Sequence, residues 1–382
     1  MQEKQTRSQE SGVRSQARSF GALTPSRLKP QAARLSSPQA SSLPLRPAFT
    51  LTELLIVIAI IAVLAGLIAA AAVNAMRSAN RARITLEIKN VGGALENFKN
   101  DFGAYPPNGM NPTPIPPTGS PGALVRSDFA RMFKQAFPRH QERPALIEAI
   151  SGITPSDTTN VPKLLTDGLR ATEALYFWLG GFSDDPQYPL SGEGGPSFVD
   201  NGAAGDETLE SRKARYEFDL ARLAPRDDNG AFTGRFLNYQ DPRDNAIKRR
   251  INFWEYRPQG SEVPLVYFDV SRHKPAAYDG WAVNPTGGAT EVYALKQYRE
   301  GVAPGTAGAA GRLLVFIDQG KYQILHPGLD DDWGTDFAGM KVAGTTTQAE
   351  NVTVYPTGPF IGPIADTLTS FTDGTIEDAV EE

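Results

Sequence analysis

From Leu54 to Val73, twenty consecutive residues carry no polar side chain. At ~1.5 Å of helical rise per residue such a run spans a ~30 Å hydrocarbon core, so it reads as a membrane helix. Beyond Val73 the pattern changes but the helix need not end. Asn74 to Phe102 contains no proline, and Ile84, Ile88, Val91, Leu95, Phe98 and Phe102 recur on one stripe. The spacing predicts one continuous helix from Thr50 to Phe102, half of it in a membrane and half laid on a globular domain. Gly92 and Gly93 interrupt it, each costing roughly 1 kcal/mol relative to Ala. Their expected purpose is to admit a close-packed strand or a slight bend. Gly103 is the expected C-cap, followed by Tyr105, Pro106 and Pro107.

Downstream, residues 108–121 are largely Pro and Gly and read as a linker. A helix is expected from Ser127, with Phe129, Met132, Phe133, Ala136 and Phe137 on one face and Pro138 as its stop. A short turn follows at Pro144 to Ile150. Thr172 to Gly181 reads as a further helix, whose Leu175, Phe177, Trp178 and Leu179 are core anchors. Residues 183–210 have loop composition. Past Arg215 the period shifts towards strands, at Tyr216 to Leu220, Phe232 to Tyr239, Leu265 to Val270, Glu291 to Leu295, Leu313 to Asp318 and Tyr322 to Leu325. The last two flank Gln319 and Gly320 and suggest a hairpin. Strands after a run of helices argue an α+β fold, with an antiparallel sheet on the outer half of the long helix. The organisation expected is a leader at 1–48, the membrane half of the first helix at 49–76, its amphipathic half at 77–103, a helical, loop-rich insertion at 104–210 and a β-rich domain at 211–382.

Charge separates the leader from the rest. Residues 1–48 hold eight Lys and Arg against two Glu and have no hydrophobic periodicity, so they cannot bury enough surface to order themselves. Without them a chain of net charge −5 falls to about −11. Such an acidic surface repels nucleic acid, and none is expected as a partner. No cysteine occurs, which excludes disulfides and thiolate metal sites. The apolar run exceeds the ~7–15 residues of a cleavable signal core, so the helix is retained. Arg34 and Arg46 on one side face Arg77, Arg81 and Arg83 on the other, and charge alone leaves the orientation open.

At the head of the apolar run stand Ala48, Phe49, Thr50, Leu51, Thr52 and Glu53. A carboxylate at the lip of a bilayer costs on the order of 2–3 kcal/mol unless partnered. Taken by itself the segment is also compatible with an ordinary signal-anchor helix carrying an interfacial Glu. The order small residue, Phe, Thr, Leu, any residue, Glu, then about twenty apolar residues, resembles the cleavage and methylation motif of type IV prepilins and type II secretion pseudopilins. FGAYPP, Phe102 to Pro107, is similar to the Gly-x-Tyr-Pro signature that ends their first helix. Two departures are visible: Ala48 stands where the family has Gly, and the leader is long. The resemblance implies cleavage between Ala48 and Phe49 by a prepilin peptidase, N-methylation of the new terminus, and a Glu53 that complements a neighbouring subunit's terminal amine. It implies other pilin-like subunits and an assembly platform as partners. It also sets an inner-membrane, single-pass orientation, with the leader in the cytoplasm and the bulk outside.

No enzyme signature is visible. His140, His273 and His326 are far apart, none lies in a metal or hydrolase motif, and each reads singly as a loop or surface residue. The polar cluster worth weighing is Asp330, Asp331, Asp332 and Asp336, either a solvated acidic turn or a loop tied down by Ca²⁺. KYQILHPGLDDDWG resembles the pseudopilin strand leading into a Gly-x-Asp-Gly turn, with Asp330 on the motif aspartate and Asp331 where Gly is usual. ADTLTSF resembles the terminal Ala-Asp-Ile element, with Asp366 on its acid. That likeness implies calcium held by Asp330 and Asp366, with Asp336 as a third ligand. The expectation is a structural, non-enzymatic filament subunit of a pseudopilus or pilus. The alternative is a single-pass envelope protein with an outer binding domain.

Overall fold

The computed structural model describes residues 49–109, 121–202, 213–275, 281–282, 291–335, 340 and 349–381. Two units divide the chain, Met1–Val63 and Leu64–Glu382. In the first, the described residues run from Phe49 into helix α1 (Leu51–Phe102), which continues without a break through the second. Among the described residues the other α-helices and strands are α2 (Pro121–Ala136), α3 (Pro144–Ile150), α4 (Ala174–Leu179), β1 (Ser197–Val199), β2 (Leu223–Ala224), β3 (Phe236–Gln240), β4 (Lys248–Asn252), β5 (Glu255–Tyr256), β6 (Val266–Asp269), β7 (Trp281–Ala282), β8 (Val292–Tyr293), β9 (Lys296–Tyr298), α5 (Ala310–Leu313), β10 (Leu314–Phe316), β11 (Tyr322–His326), β12 (Leu368–Thr369) and α6 (Ile376–Glu381). The class is α+β, as expected.

The strands form several small antiparallel sheets. Two are three-stranded, in the orders β1-β4-β3 and β12-β11-β6, and three are pairs, β10-β9, β2-β5 and β7-β8. The hairpin expected around Gln319 and Gly320 is not formed. A turn is present, closed by Lys321 N–H on the Asp318 carbonyl, but its arms diverge. β10 pairs with β9, whereas β11 is claimed on both edges by β6 and β12. Tyr216 to Leu220 is likewise not a strand. Its rings cluster instead, Tyr216 and Phe218 lying edge-on to each other and to Tyr256.

Sheet β12-β11-β6 is the wall between two cores. Leu265, Tyr267 and Ile324 belong to the core on the α1 side, and Val266, Phe268 and Leu325 to the core behind it. Burial on both faces is why β6 reads as an unbroken apolar run and not as an alternation. The α1 stripe Ile84, Ile88, Val91, Leu95 and Phe98 is fully buried in the first core, as its spacing predicts. There it meets α2 and α4 through aromatic contacts: Phe98 on Trp178 at 5.8 Å between centroids and Phe129 on Trp178 at 5.2 Å. All four core anchors named in α4 are buried.

Polar groups fix α1 in register. Glu87 accepts from the Tyr256 hydroxyl at 2.7 Å and from Gln259 N–H at 2.9 Å, and pairs with Arg222 at 2.9 Å. Gly103, at φ +79°, ends the helix by donating its N–H to the Lys99 carbonyl. The following prolines leave carbonyls in the interior, and side chains satisfy them. Arg272 donates to Tyr105 O, Tyr267 to Pro106 O and Trp178 to Pro107 O.

The two helix glycines differ. A Cβ on Gly92 would fall 2.5 Å from the Tyr322 hydroxyl of β11, so what Gly92 admits is the tip of a strand side chain and not the strand backbone. Around Gly93 there is nothing within 4 Å. Gly92→Ala should therefore lower the melting temperature, by about 1–3 kcal/mol of stability as overpacking does. Gly93→Ala should raise it by up to about 1 kcal/mol through helix propensity. Thermal melts of the detergent-solubilised chain compare them directly, and a shift of the same sign in both would refute the seam at Gly92.

Candidate functional site

Two places carry the chemistry anticipated from the sequence: the head of α1 and the turn after β11. At the first, Phe49 and Thr50 precede the helix and are exposed, while Ala48 lies outside the described residues. Thr50 caps α1. Its hydroxyl accepts the Glu53 N–H at 3.2 Å, and the Glu53 carboxylate Oε2 accepts both the Thr50 N–H and the Thr50 hydroxyl at 2.9 Å. This is a reciprocal capping box, which satisfies two backbone donors and places a negative charge at the positive end of the helix dipole. Its signal is Thr-x-x-Glu, Thr50 to Glu53, so the cap was legible in the sequence. Reading Glu53 only as a charge in need of a counter-charge missed it. From Leu51 to Val73 the large apolar side chains are 44–76% exposed. Among the described residues α1 is the one helix long and apolar enough to cross a membrane.

At the second place, β11 ends in His326 and the chain turns through Gly328. A Cβ there would lie 2.4 Å from the Asp366 carbonyl, and φ is +102°, so only glycine fits. Asp366 closes the turn. Its Oδ2 accepts Leu329 N–H at 3.0 Å and its Oδ1 pairs with Arg81 of α1 at 2.6 Å. Asp330 lies nearby, its carboxyl pushed up by burial and further by the charges of Asp366 and Asp332. It caps its own turn by accepting Asp332 N–H. Asp331 adopts φ +56°, the left-handed conformation natural to the glycine that the motif has at this position. Its carboxylate is held by the Ser261 hydroxyl and by Glu262 N–H at 2.8 Å.

Asp330 lies within electrostatic reach of Asp366, and the cation on Asp366 is the Arg81 guanidinium. Asp336 lies outside the described residues. Calcium takes six to eight oxygens, and no group of three or more carboxylate or imidazole side chains among the described residues could hold a metal. With Arg81 in place Asp366 already has a cationic partner, and the described residues add no third acid side chain to the pair.

His326 is not a surface residue. It is fully buried, with Nδ1 accepting Gly328 N–H at 3.1 Å. That bond assigns the proton to Nε2, which donates to Ser261 Oγ at 2.8 Å, and Ser261 donates in turn to Asp331. Ser, His and Asp are together, yet the serine accepts from the imidazole and gives its own proton to the aspartate. A nucleophilic triad runs the other way. This relay is a clasp that holds the turn. Of the other histidines, His273 pairs with buried Asp128 and His140 packs on Phe133.

Comparison with known proteins gives one family match: residues 46–69 fit the prokaryotic N-terminal methylation motif. No curated protein and no solved structure matches the chain.

Two predictions arise at the turn. Burial drives His326 down to about 4, against the pull of the Asp331, Glu87 and Asp366 charges. The unfolded chain, with an ordinary imidazole, therefore binds the extra proton first as pH falls. Stability present above pH ~6.5 should be lost between there and pH ~4, by roughly 3 kcal/mol. In His326→Gln the slope of melting temperature against pH in that window should flatten; an unchanged slope would assign it elsewhere. Calcium should leave the melting of the wild-type chain unchanged, while Arg81→Ala lowers it. A calcium-dependent rise in the wild type would return the ion to Asp330 and Asp366.

The motif implies processing by a prepilin peptidase and assembly with other pilin subunits, and it points to a structural protein and not an enzyme. The chain carries the prepilin-type N-terminal methylation motif at the head of a long apolar helix, and this is the arrangement of a pilin-like precursor.

Proposed function

We propose that the protein is a structural subunit of a type II secretion pseudopilus or a type IV pilus-like filament. It is made as a prepilin, cut between Ala48 and Phe49, and methylated on the new Phe49 amine. The observation that carries this reading is the coincidence of the methylation motif with the start of an unbroken helix whose apolar half buries nothing within the chain. In water such a surface is untenable. A bilayer covers it before assembly, and neighbouring helices cover it in a filament.

The single pass lies in the inner membrane, with the leader in the cytoplasm and residues beyond the helix outside. The peptidase, other pilin-like subunits and an assembly platform are its partners. Glu53 serves assembly without giving up the cap. Both of its bonds fall on Oε2, and cleavage before Phe49 leaves the Thr50 amide intact. Oε1 is then the acceptor for a neighbouring subunit's amine.

Mass spectrometry of membrane-extracted protein should find an amino terminus at methylated Phe49; a mature terminus upstream, in cells with an active peptidase, would refute processing. Glu53→Gln keeps the capping geometry and loses the charge, and Glu53→Ala loses both. Both variants should reach the membrane and fail to assemble, Ala with a further ~1 kcal/mol loss at the helix head. Filament yield relative to membrane level is the measurement. Normal assembly of the Gln variant would show that charge is not what Glu53 supplies.

A further inference from the structure

Away from both places, a cavity of about 410 Å³ opens where the turn before α4, the segment before β3 and strand β5 converge. Three guanidiniums and two carboxylates line it, from Arg170, Arg235, Arg257, Glu173 and Glu255. They are not equivalent. Arg235 and Glu173 pair with each other at 3.3 Å, and Arg235 also donates to the Gly168 carbonyl at 2.9 Å. That pair is structural. Arg170 and Arg257 reach acids outside the lining, Asp167 at 3.4 Å and the exposed Glu262 at 2.8 Å. The first pair is partly buried and long, and the second has an acid open to solvent, which makes it weak and readily exchanged. Among the described residues Glu255 has no arginine in ion-pair contact, and its carboxylate takes one hydrogen bond, from the Thr172 hydroxyl to Oε1 at 2.6 Å. Burial pushes its carboxyl up, while Arg170, Arg257 and Arg235 pull it back.

A half-buried carboxylate that takes one neutral donor among the described residues, in a cavity that also presents cationic groups, is matched by a ligand carrying both a donor and an anionic group. A simple anion meets the charge of Glu255, and a simple cation meets the arginines. A neutral polyol must desolvate both signs and neutralise neither. Opposite charges on one small molecule satisfy both, with Phe253, Pro225 and Pro264 as apolar walls. We infer that this cavity binds a zwitterion of the α-amino acid class, an amino acid or short free peptide, with its ammonium on Glu255 and its carboxylate on Arg170 and Arg257. The volume lies in the range of small-molecule sites and leaves room for a dipeptide. This assignment does not rest on the filament reading, since every residue it uses lies beyond α1.

The test is equilibrium dialysis of the full detergent-solubilised chain against L-alanyl-L-alanine, in parallel with N-acetyl-L-alanine amide and with galacturonate, which offers a carboxylate and hydroxyls but no ammonium. Saturable binding of the free dipeptide, with the blocked compound at least about tenfold weaker, is expected. Glu255→Gln, which keeps the Thr172 bond, and Arg257→Gln, whose partner is exposed, should melt as the wild type does and each weaken dipeptide binding by about tenfold or more. Absence of saturable binding at millimolar dipeptide overturns the assignment. Equal binding of the blocked compound, or galacturonate binding as tightly as the dipeptide, does so too, and neither comparison depends on how the variants fold.

Discussion

The folded part of this protein depends on the contact between α1 and β11, where the helix has no side chain at Gly92 and the Tyr322 ring fills the space. The tip of that ring can lie against the helix backbone only where a Cβ is missing. Because β11 is the central strand of its sheet, fixing β11 on α1 also fixes β6 and β12. Tyr322 in turn meets Tyr105, edge-on at 5.2 Å, just past the helix end. The seam therefore sets where the helix stops and where the proline segment begins its run through the core.

Charges reinforce this seam along the same helix. Arg81 reaches Asp366 next to β12, and Glu87 gathers Arg222, Tyr256 and Gln259. Each links α1 to chain more than a hundred residues away. Partly buried pairs of this kind add little net stability, but breaking one leaves a charge uncompensated, which makes the docked register hard to leave. The turn after β11 follows the same logic. Leu329, Asp331 and Asp366 are each held by neighbours distant in sequence, and the buried His326 relay ties the turn to Ser261.

What the sequence made legible is what is local. The α1 stripe repeats within a few residues, its glycine cap is adjacent, and the motif at Ala48 to Glu53 sits in six consecutive positions, so all three could be read in one dimension. Strands of two to five residues carry too few alternations to show a period, and β4, which begins Lys-Arg-Arg, gives no apolar signal. Its place is decided by β1 and β3 on either side. His326 looked like a surface residue because its partners, Ser261 and Asp331, lie on both sides of it in sequence and only the fold brings Ser261 near. The Arg81 partner of Asp366 had no sequence signal for the same reason: it is 285 residues away. The cavity is assembled from segments that share no motif and so had no sequence signal at all.

In the proposed assembly, the Glu53 carboxylate would satisfy two demands that the sequence presents as competing. A cap contributes about 1 kcal/mol, which is small beside the penalty for an unpaired charge inside a bilayer or among packed helices. Were the two roles to require the same oxygen, assembly would have to break the cap. The geometry separates them, with Oε2 turned back onto Thr50 and Oε1 left to other donors. Capping also holds the carboxylate at a defined point on the helix axis before any partner arrives. An amine then meets an acceptor already oriented, and the entropy of ordering the side chain has been spent in forming the helix.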